Sequence, residues 1–225
     1  MNDPILTIAL ISGALLMCAL TSIQMKWYGV QQWKSIVVAL TIIVTGLVGA
    51  KAWFFLENGY WEGRSFYGAV YLAPITFLIV AKLVQIPYLY SLDFCATAGC
   101  LILAVLKVQC IVEGCCAGII LYLNKDNMYI RFPSQIAEFF CALILTAILM
   151  YLSLKKKYRG RIYPITLILY GSTRFVLNLF RDDWARTQAM NLVMPLGNIW
   201  SLVAVVVGVV WLLQVKYRKY GNAKT

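Results

Sequence analysis

Histidine is absent from this 225-residue chain, and charged residues are scarce. Without an imidazole, no reaction of this chain can use a histidine base, and no metal site can use a histidine ligand. Only 13% of the residues are charged, against about a quarter in soluble domains, whereas 62% are hydrophobic. The composition therefore predicts an all-α polytopic membrane protein, built as one membrane-embedded domain over residues 1–225.

Acidic residues are also few, since 9 Asp and Glu stand against 20 Lys and Arg, giving a net charge of +11. Membrane proteins collect such basic residues in their cytoplasmic loops, so we expect no nucleic-acid partner.

The cysteines number seven. This odd count, mostly inside apolar runs, argues against a disulfide framework.

Long apolar runs dominate the rest of the chain. There are seven of them, at residues 5–23, 36–53, 66–82, 94–112, 133–153, 162–180 and 197–214. Each approaches the ~20 residues that cross about 30 Å of hydrocarbon. Because backbone in lipid must satisfy its own hydrogen bonds, all seven are predicted to be transmembrane helices.

The loops between these runs predict the orientation. With the N-terminus outside, the inner loops and tail hold twelve basic residues: Lys26, Lys34, Lys82, Lys155, Lys156, Lys157, Arg159, Arg161, Lys216, Arg218, Lys219 and Lys224. The outer loops then hold six: Lys51, Arg64, Lys125, Arg131, Arg181 and Arg186. The excess inside favours an external N-terminus and a cytoplasmic C-terminus.

A polar cluster ends the fourth run, in "KVQCIVEGCCAG" (107–118). Lys107, Cys110 and Gly114 are spaced to share one helical face, and Glu113 and the adjoining cysteine pair lie past the apolar body. Ionisable groups inside spans are costly and are functional candidates. A structural alternative is that Lys107 extends toward the membrane surface and the cysteines pack as small apolar residues.

A second polar stretch is "YGSTRFVLNLFRDD" (170–183). Tyr170, Arg174, Asn178 and Arg181 step by four, four and three residues, which puts them on one helical stripe. An arginine as deep as Arg174 needs a carboxylate or a phosphate partner. The sequence offers it no obvious internal partner except Glu138.

The third polar stretch, "FPSQIAE" (132–138), contains that glutamate. Ser134, Gln135 and Glu138 form one polar edge on an apolar helix, and hydrogen bonding between helices is the alternative role for such an edge. All three polar stretches are predicted to lie near the outer membrane surface. A cationic pocket at that level suits an anionic phospholipid.

In their order along the chain, these motifs resemble the prolipoprotein diacylglyceryl transferase family. The resemblance runs from about Gly46 to Ser201 and includes "GLVGAKAWFFLE" (46–57), "GRSFYGAVY" (63–71) and "LGNIWS" (196–201). It also includes "FPSQIAE", close to the family's Tyr-Pro-Ser-Gln-x-x-Glu, and "YGSTRFVLNLFRDD", close to its Tyr-Gly-x-x-Arg-Phe-x-x-Glu-x-x-Arg. Asp93 precedes Lys107 by the same distance as an aspartate precedes the arginine of the family's Gly-Arg-x-Gly-Asn-Phe signature.

Several family residues are replaced here. Tyr67 stands at the family's histidine, Lys107 at its signature arginine, Cys110 at its asparagine and Asn178 at a glutamate. The closing glycine of the signature is kept as Gly118.

The resemblance implies a bacterial inner-membrane enzyme without a cofactor. Its partners would be phosphatidylglycerol, other membrane lipid and the signal peptide of a prolipoprotein, whose lipobox cysteine receives the diacylglyceryl group. The catalytic candidates are Arg174, Lys107, Tyr67 and Glu113. The lipid-binding candidates are Arg181, Tyr170, Asn178, Gln135, Glu138, Ser134, Cys110 and Gly118.

Two other functions stay open from the residues alone. One is a non-catalytic lipid-binding membrane protein of the same fold. The other is thiol–disulfide exchange, or soft-metal binding, by Cys110, Cys115 and Cys116. On one continuous helix, Cys115 and Cys116 would point about 100° apart and Cys110 would lie about 140° from Cys115, so no metal site is predicted.

Overall fold

A computed structural model describes residues 4–61, 65–116, 118–123, 129–181 and 193–221, with side chains except at 4–7, 9–10, 123, 129 and 216–221. These residues form seven α-helices: α1 (Pro4–Tyr28), α2 (Lys34–Asn58), α3 (Phe66–Leu83), α4 (Tyr88–Glu113), α5 (Ser134–Leu154), α6 (Ile162–Asn178) and α7 (Leu196–Gly221). A short 3-10 helix (Lys156–Tyr158) lies between α5 and α6. Each of the seven apolar runs coincides with one of these helices.

Five of the helices are long and apolar enough to cross a membrane, among the residues that the structure describes. They are α2, α3, α4, α5 and the Leu196–Val215 part of α7. The protein is therefore a multi-pass membrane protein. That α1 and α6 also span, and that the N-terminus is outside, stay predictions; Arg64, Lys125, Arg186 and Lys224 of the charge count lie outside the described residues.

A two-stranded antiparallel hairpin between α4 and α5 was not predicted from the sequence. Strand β1 (Ile120–Leu123) pairs with β2 (Tyr129–Arg131), with Ile120 opposite Arg131 and Leu123 opposite Tyr129. The strands are too short to give a clear two-residue alternation of apolar side chains. The hairpin lies outside the apolar runs, so the fold remains essentially helical.

Large apolar side chains on the helix surfaces are exposed to the surroundings. On α2, Leu40, Val44, Leu47 and Val48 are each more than half exposed and are spaced to share one face. Such a face would be a liability in water but costs nothing against lipid tails.

The chain divides into two compact units. The first unit comprises Met1–Ile11, Cys100–Ala147 and Pro164–Thr225, and the second comprises Ser12–Gly99 and Ile148–Tyr163. Within the first unit, glycines bring α6 and α7 into close contact. A Cβ on Gly171 would lie 2.7 Å from the Ser201 carbonyl oxygen, and one on Gly208 would lie 2.8 Å from that of Pro164. Small residues allow backbones to approach this closely in membranes.

A buried carboxylate organises the second unit. Asp93 on α4 accepts hydrogen bonds from the backbone amides of Gly160, Ile162 (2.9 Å) and Tyr163 (3.3 Å), and from the Tyr28 hydroxyl (2.9 Å). The first amides of a helix have no partner within it. Asp93 therefore caps the N-terminus of α6 from another helix by accepting hydrogen bonds from these amides.

Two glycines of the second unit hold α2 against α3. A Cβ added to Gly68 would lie 2.0 Å from the Gly49 carbonyl oxygen and 2.3 Å from Trp53 Cβ, and one on Gly49 would lie 2.7 Å from the Gly68 carbonyl oxygen. Because two of these contacts are with backbone, no side-chain rotation relieves them.

We expect Gly68→Ala to lower the free energy of unfolding by about 3 kcal/mol, because the helices must separate to admit the methyl group. Gly46→Ala is the matched control, since a Cβ there meets nothing within 4 Å and alanine favours a helix. Thermal unfolding in detergent, followed by tryptophan fluorescence, measures both. Equal midpoints for the two variants would contradict the close packing of α2 on α3.

Candidate functional site

One carboxylate in the first unit gathers three cations from the ends of two other helices. Glu138 on α5 forms ion pairs with Lys107 of α4 and Arg174 of α6, and Arg181 Nη1 donates to Glu138 Oε1 at 3.3 Å. The pairing of Arg174 with Glu138 is the one that the sequence indicated. We call Lys107, Glu138, Arg174 and Arg181 the cation cluster.

The cation cluster is largely shielded from the surroundings. The side chains of Lys107, Arg174 and Arg181 are 10%, 17% and 14% exposed, and that of Glu138 is 3% exposed. Three positive charges share one negative charge, so these four side chains carry an excess of two positive charges. Electrostatic attraction for an anion is stronger in such a shielded place than in water. The arrangement is therefore suited to an anionic group such as a phosphate.

The first turn of α5 fastens the loop that follows α4. The Ser134 hydroxyl donates to the Cys116 carbonyl oxygen, and the Gln135 amide donates to the Cys115 carbonyl oxygen, each at 2.6 Å. Ser134 is fully buried. These two predicted lipid-binding residues thus hold the loop backbone in place.

Arg181 and Gly118 meet through their backbones. Arg181 lies past the end of α6 and forms an isolated antiparallel bridge with Gly118, beside a hydrogen bond of 3.0 Å from the Ile119 amide to the Phe180 carbonyl. A Cβ on Gly118 would lie 2.3 Å from the Phe132 carbonyl oxygen and 2.9 Å from that of Phe180. Only glycine fits there, so steric constraint explains why the motif keeps a glycine at position 118.

Tyr170 and Asn178 are both buried on α6, on the helix that carries Arg174. Asn178 Nδ2 is a buried donor, and Asn198 Oδ1 on α7 is a buried acceptor; neither has a hydrogen-bond partner among the described residues. Unpaired buried polar atoms cost free energy. A polar ligand would supply partners for such atoms.

Glu113 and Tyr67 are not members of the cation cluster. Glu113 is the last residue of α4, is exposed, and accepts a hydrogen bond of 2.7 Å from Gln109. Tyr67 belongs to the second unit, where it is buried and its ring stacks on Tyr71 with centroids 6.1 Å apart. Their catalytic roles stay predictions.

The three cysteines near the end of α4 converge, against the expectation from helical spacing. The Sγ atoms of Cys110, Cys115 and Cys116 all lie within 4.8 Å of one another. The expectation was wrong because it assumed a continuous helix. The helix ends at Glu113, and the chain turns back through Gly114 (φ 65°) and Cys116 (φ 62°), both left-handed. The glycine two residues after the fourth apolar run, Gly114, was the available signal for this ending.

The thiols of the loop differ in acidity. A hydrogen bond from the Cys110 thiol, together with the positive charges of Arg181 and Lys107, lowers the pKa of the Cys116 thiol to about 5. Burial raises the pKa of the Cys115 thiol. Cys116 is therefore the member of the group that most readily carries a negative charge, since neighbouring cations stabilise a thiolate.

Comparison with known proteins identifies a matching family. A family model described as prolipoprotein diacylglyceryl transferase matches residues 5–214, which is nearly the whole chain. The match includes every residue of the cation cluster and all three converging cysteines.

Individual relatives are about a quarter identical to the chain over the stretches that align with it. Two of them are named phosphatidylglycerol–prolipoprotein diacylglyceryl transferase. The protein from Wolbachia sp. subsp. Brugia malayi is 27% identical over an alignment that covers 72% of this chain and 66% of the relative. The protein from Ehrlichia ruminantium is 26% identical over 66% of this chain and 62% of the relative. The Methylobacillus flagellatus protein of that name is 28% identical over 80% of this chain and 76% of its own length. The chain therefore spans somewhat less than two thirds of the length of the first two relatives.

Proposed function

The chain belongs to the prolipoprotein diacylglyceryl transferase family, and on that premise we propose that it transfers diacylglyceryl from phosphatidylglycerol to the lipobox cysteine of a prolipoprotein. The names of its relatives include both substrates, phosphatidylglycerol and the prolipoprotein. The setting is then the bacterial inner membrane, which supplies both the lipid and the membrane-inserted signal peptide.

The observation that carries the proposal is the excess positive charge of the cation cluster. In the reaction, the thiolate sulfur of the prolipoprotein attacks a glyceryl carbon. A carbon–sulfur bond forms, the bond from that carbon to the phosphate oxygen breaks, and glycerol phosphate leaves with the bonding electrons. Negative charge develops on the leaving oxygen, and preorganised cations that face it lower the barrier.

Each cation has a distinct part in this proposal. The planar guanidinium groups of Arg174 and Arg181 can each donate two parallel hydrogen bonds to phosphate, whereas Lys107 acts as a compact point charge. Glu138 keeps the three cations together in the absence of lipid. Asn178, whose buried amide nitrogen has no hydrogen-bond partner in the described part of the chain, is a further donor on the helix of Arg174.

The thiol of the prolipoprotein must lose its proton, because the thiolate is the nucleophile. Histidine is absent, so a carboxylate, a phenol or the electrostatic field of the cations must serve in place of an imidazole base. Glu113 is an exposed carboxylate directly before residues 114–116, which we call the thiol loop, and Tyr67 stands at the family's histidine position. We keep both as candidates for the proton acceptor.

Complementation tests the proposal directly. We expect the chain, expressed in a bacterium depleted of its own diacylglyceryl transferase, to restore growth and to add the mass of one diacylglyceryl group to a test lipoprotein. The measurement is mass spectrometry of that lipoprotein, and a lipobox Cys→Ser version of it is the matched control. Well-accumulated protein without any mass shift would overturn the proposal and favour a non-catalytic lipid-binding protein.

A further inference from the structure

The turn after α4 brings three sulfur atoms together, and the transfer step proposed above gives these sulfur atoms no part. Cys110 comes from the last turn of α4, and Cys115 and Cys116 come from the loop. We propose that Cys110, Cys115 and Cys116 form a three-thiolate site for one soft metal ion of the Zn²⁺, Cd²⁺ or Cu⁺ class. Binding forms three metal–sulfur bonds and releases the thiol protons to solvent, with no change of oxidation state.

The distances between the sulfur atoms fit such an ion. Zinc–sulfur bonds of about 2.3 Å in a trigonal or tetrahedral site place the sulfur atoms about 4 Å apart. The three Sγ atoms lie within 4.8 Å of one another, so small rotations about the Cα–Cβ bonds bring them onto one ion. All three residues are partly exposed, which leaves an entry path.

The backbone of the loop is held in a conformation that a packing role does not require. Cys116 has a φ of 62°, a left-handed conformation that is strained for a residue with a side chain and that glycine adopts freely. Strained residues of this kind cluster at functional sites. The hydrogen bonds from Ser134 and Gln135 to the loop carbonyls hold this conformation. A cysteine at this position is explained when its side chain is needed as a ligand.

The surrounding charge suits a metal–thiolate complex rather than a bare cation. Three thiolates with a divalent ion carry one negative charge, and with a monovalent ion they carry two. Lys107 precedes Cys110 by one helical turn, and the bridge from Gly118 to Arg181 places that arginine's backbone beside the loop. The excess positive charge of the cation cluster therefore stabilises the anionic complex. Thiolate ligands, in turn, select soft metals over Mg²⁺ or Ca²⁺.

Cadmium binding tests this site without any lipid substrate. The full chain is purified in detergent, fully reduced and free of chelator, and is titrated with Cd²⁺ alone. We expect one ion per chain, with the ultraviolet sulfur-to-cadmium charge-transfer band. Each of Cys110→Ser, Cys115→Ser and Cys116→Ser should lower the affinity at least about tenfold. Cys141→Ser and Cys18→Ser, which remove partly exposed cysteines outside the group, should leave binding unchanged.

A second measurement needs no variant and covers the case in which a serine variant does not fold. Cd²⁺ should protect the peptide that contains Cys115 and Cys116 from alkylation in the wild-type chain, but not the peptide that contains Cys141. The proposal is overturned if the wild type binds no more Cd²⁺ than the triple serine variant, or if Cd²⁺ gives this peptide no protection. Because neither readout involves transfer, failure here leaves the transferase proposal standing, and the reverse also holds.

Discussion

Replacing Arg174 with alanine is expected to reduce diacylglyceryl transfer at least about a hundredfold, the loss that follows removal of one preorganised donor to a developing negative charge. Arg174 already pairs with Glu138 in the cation cluster. The variant leaves Glu138 bound to Lys107 and Arg181, so the protein should still fold and accumulate. Arg174→Lys should give an intermediate rate, because it keeps the charge but loses the bidentate geometry.

The measurement is the rate at which a test lipoprotein gains diacylglyceryl mass in depleted cells, normalised to the abundance of each variant. Arg161→Ala is the matched control. It removes an equally charged side chain just before α6, outside the cation cluster, and should keep the wild-type rate. A wild-type rate for Arg174→Ala at normal abundance would remove the cation cluster from the reaction.

Glu138→Gln should destabilise the protein more than any other single exchange of a charged side chain in the first unit. The carboxylate is 3% exposed and contacts three cations. Removing one partner of a buried ion pair costs about 3–5 kcal/mol because the remaining charge is left uncompensated. Here three cations lose their shared partner at once, and we expect the unfolding midpoint in detergent to fall by about 10 °C.

Two comparisons make this result specific. Glu113→Gln removes an exposed carboxylate of the same kind and should shift stability by no more than about 0.5 kcal/mol. The double variant Lys107→Met with Glu138→Gln should lose less than the sum of its parts, since the two side chains interact directly. Wild-type stability for Glu138→Gln would contradict the cluster geometry.

The sequence predicted the helices well because each one is a long apolar run, and lipid leaves backbone little choice but to be helical. It left the partner of Arg174 open between a carboxylate and a phosphate, but it indicated Glu138 as the one obvious internal candidate, and the structure pairs these two residues. The helices follow from local hydrophobicity. The partner of Arg174 follows by elimination, because few residues of this chain can neutralise a buried positive charge.

The rest depended on contacts between residues distant in the chain. Asp93 accepts hydrogen bonds from backbone amides at the start of α6 that lie 67 to 70 positions further along the chain. No local pattern in the sequence predicts these contacts. The convergence of the three cysteines depended on where α4 ends, and a shift of one turn there changes which side chains meet. Gly118 was assigned to lipid binding from its motif, but its surroundings show a steric need set by Phe132 and Phe180.

A single turn of α5 holds both the thiol loop and the cation cluster. Ser134 and Gln135 donate hydrogen bonds to the loop carbonyls, and Glu138 lies one turn further along the same helix. The helix therefore fixes the direction of Glu138 relative to the side chains that hold the loop. Inserting one residue between positions 135 and 138 would swing the carboxylate about 100° around the helix axis while the loop stayed anchored. This stretch can tolerate exchange of side chains far better than any change in its length.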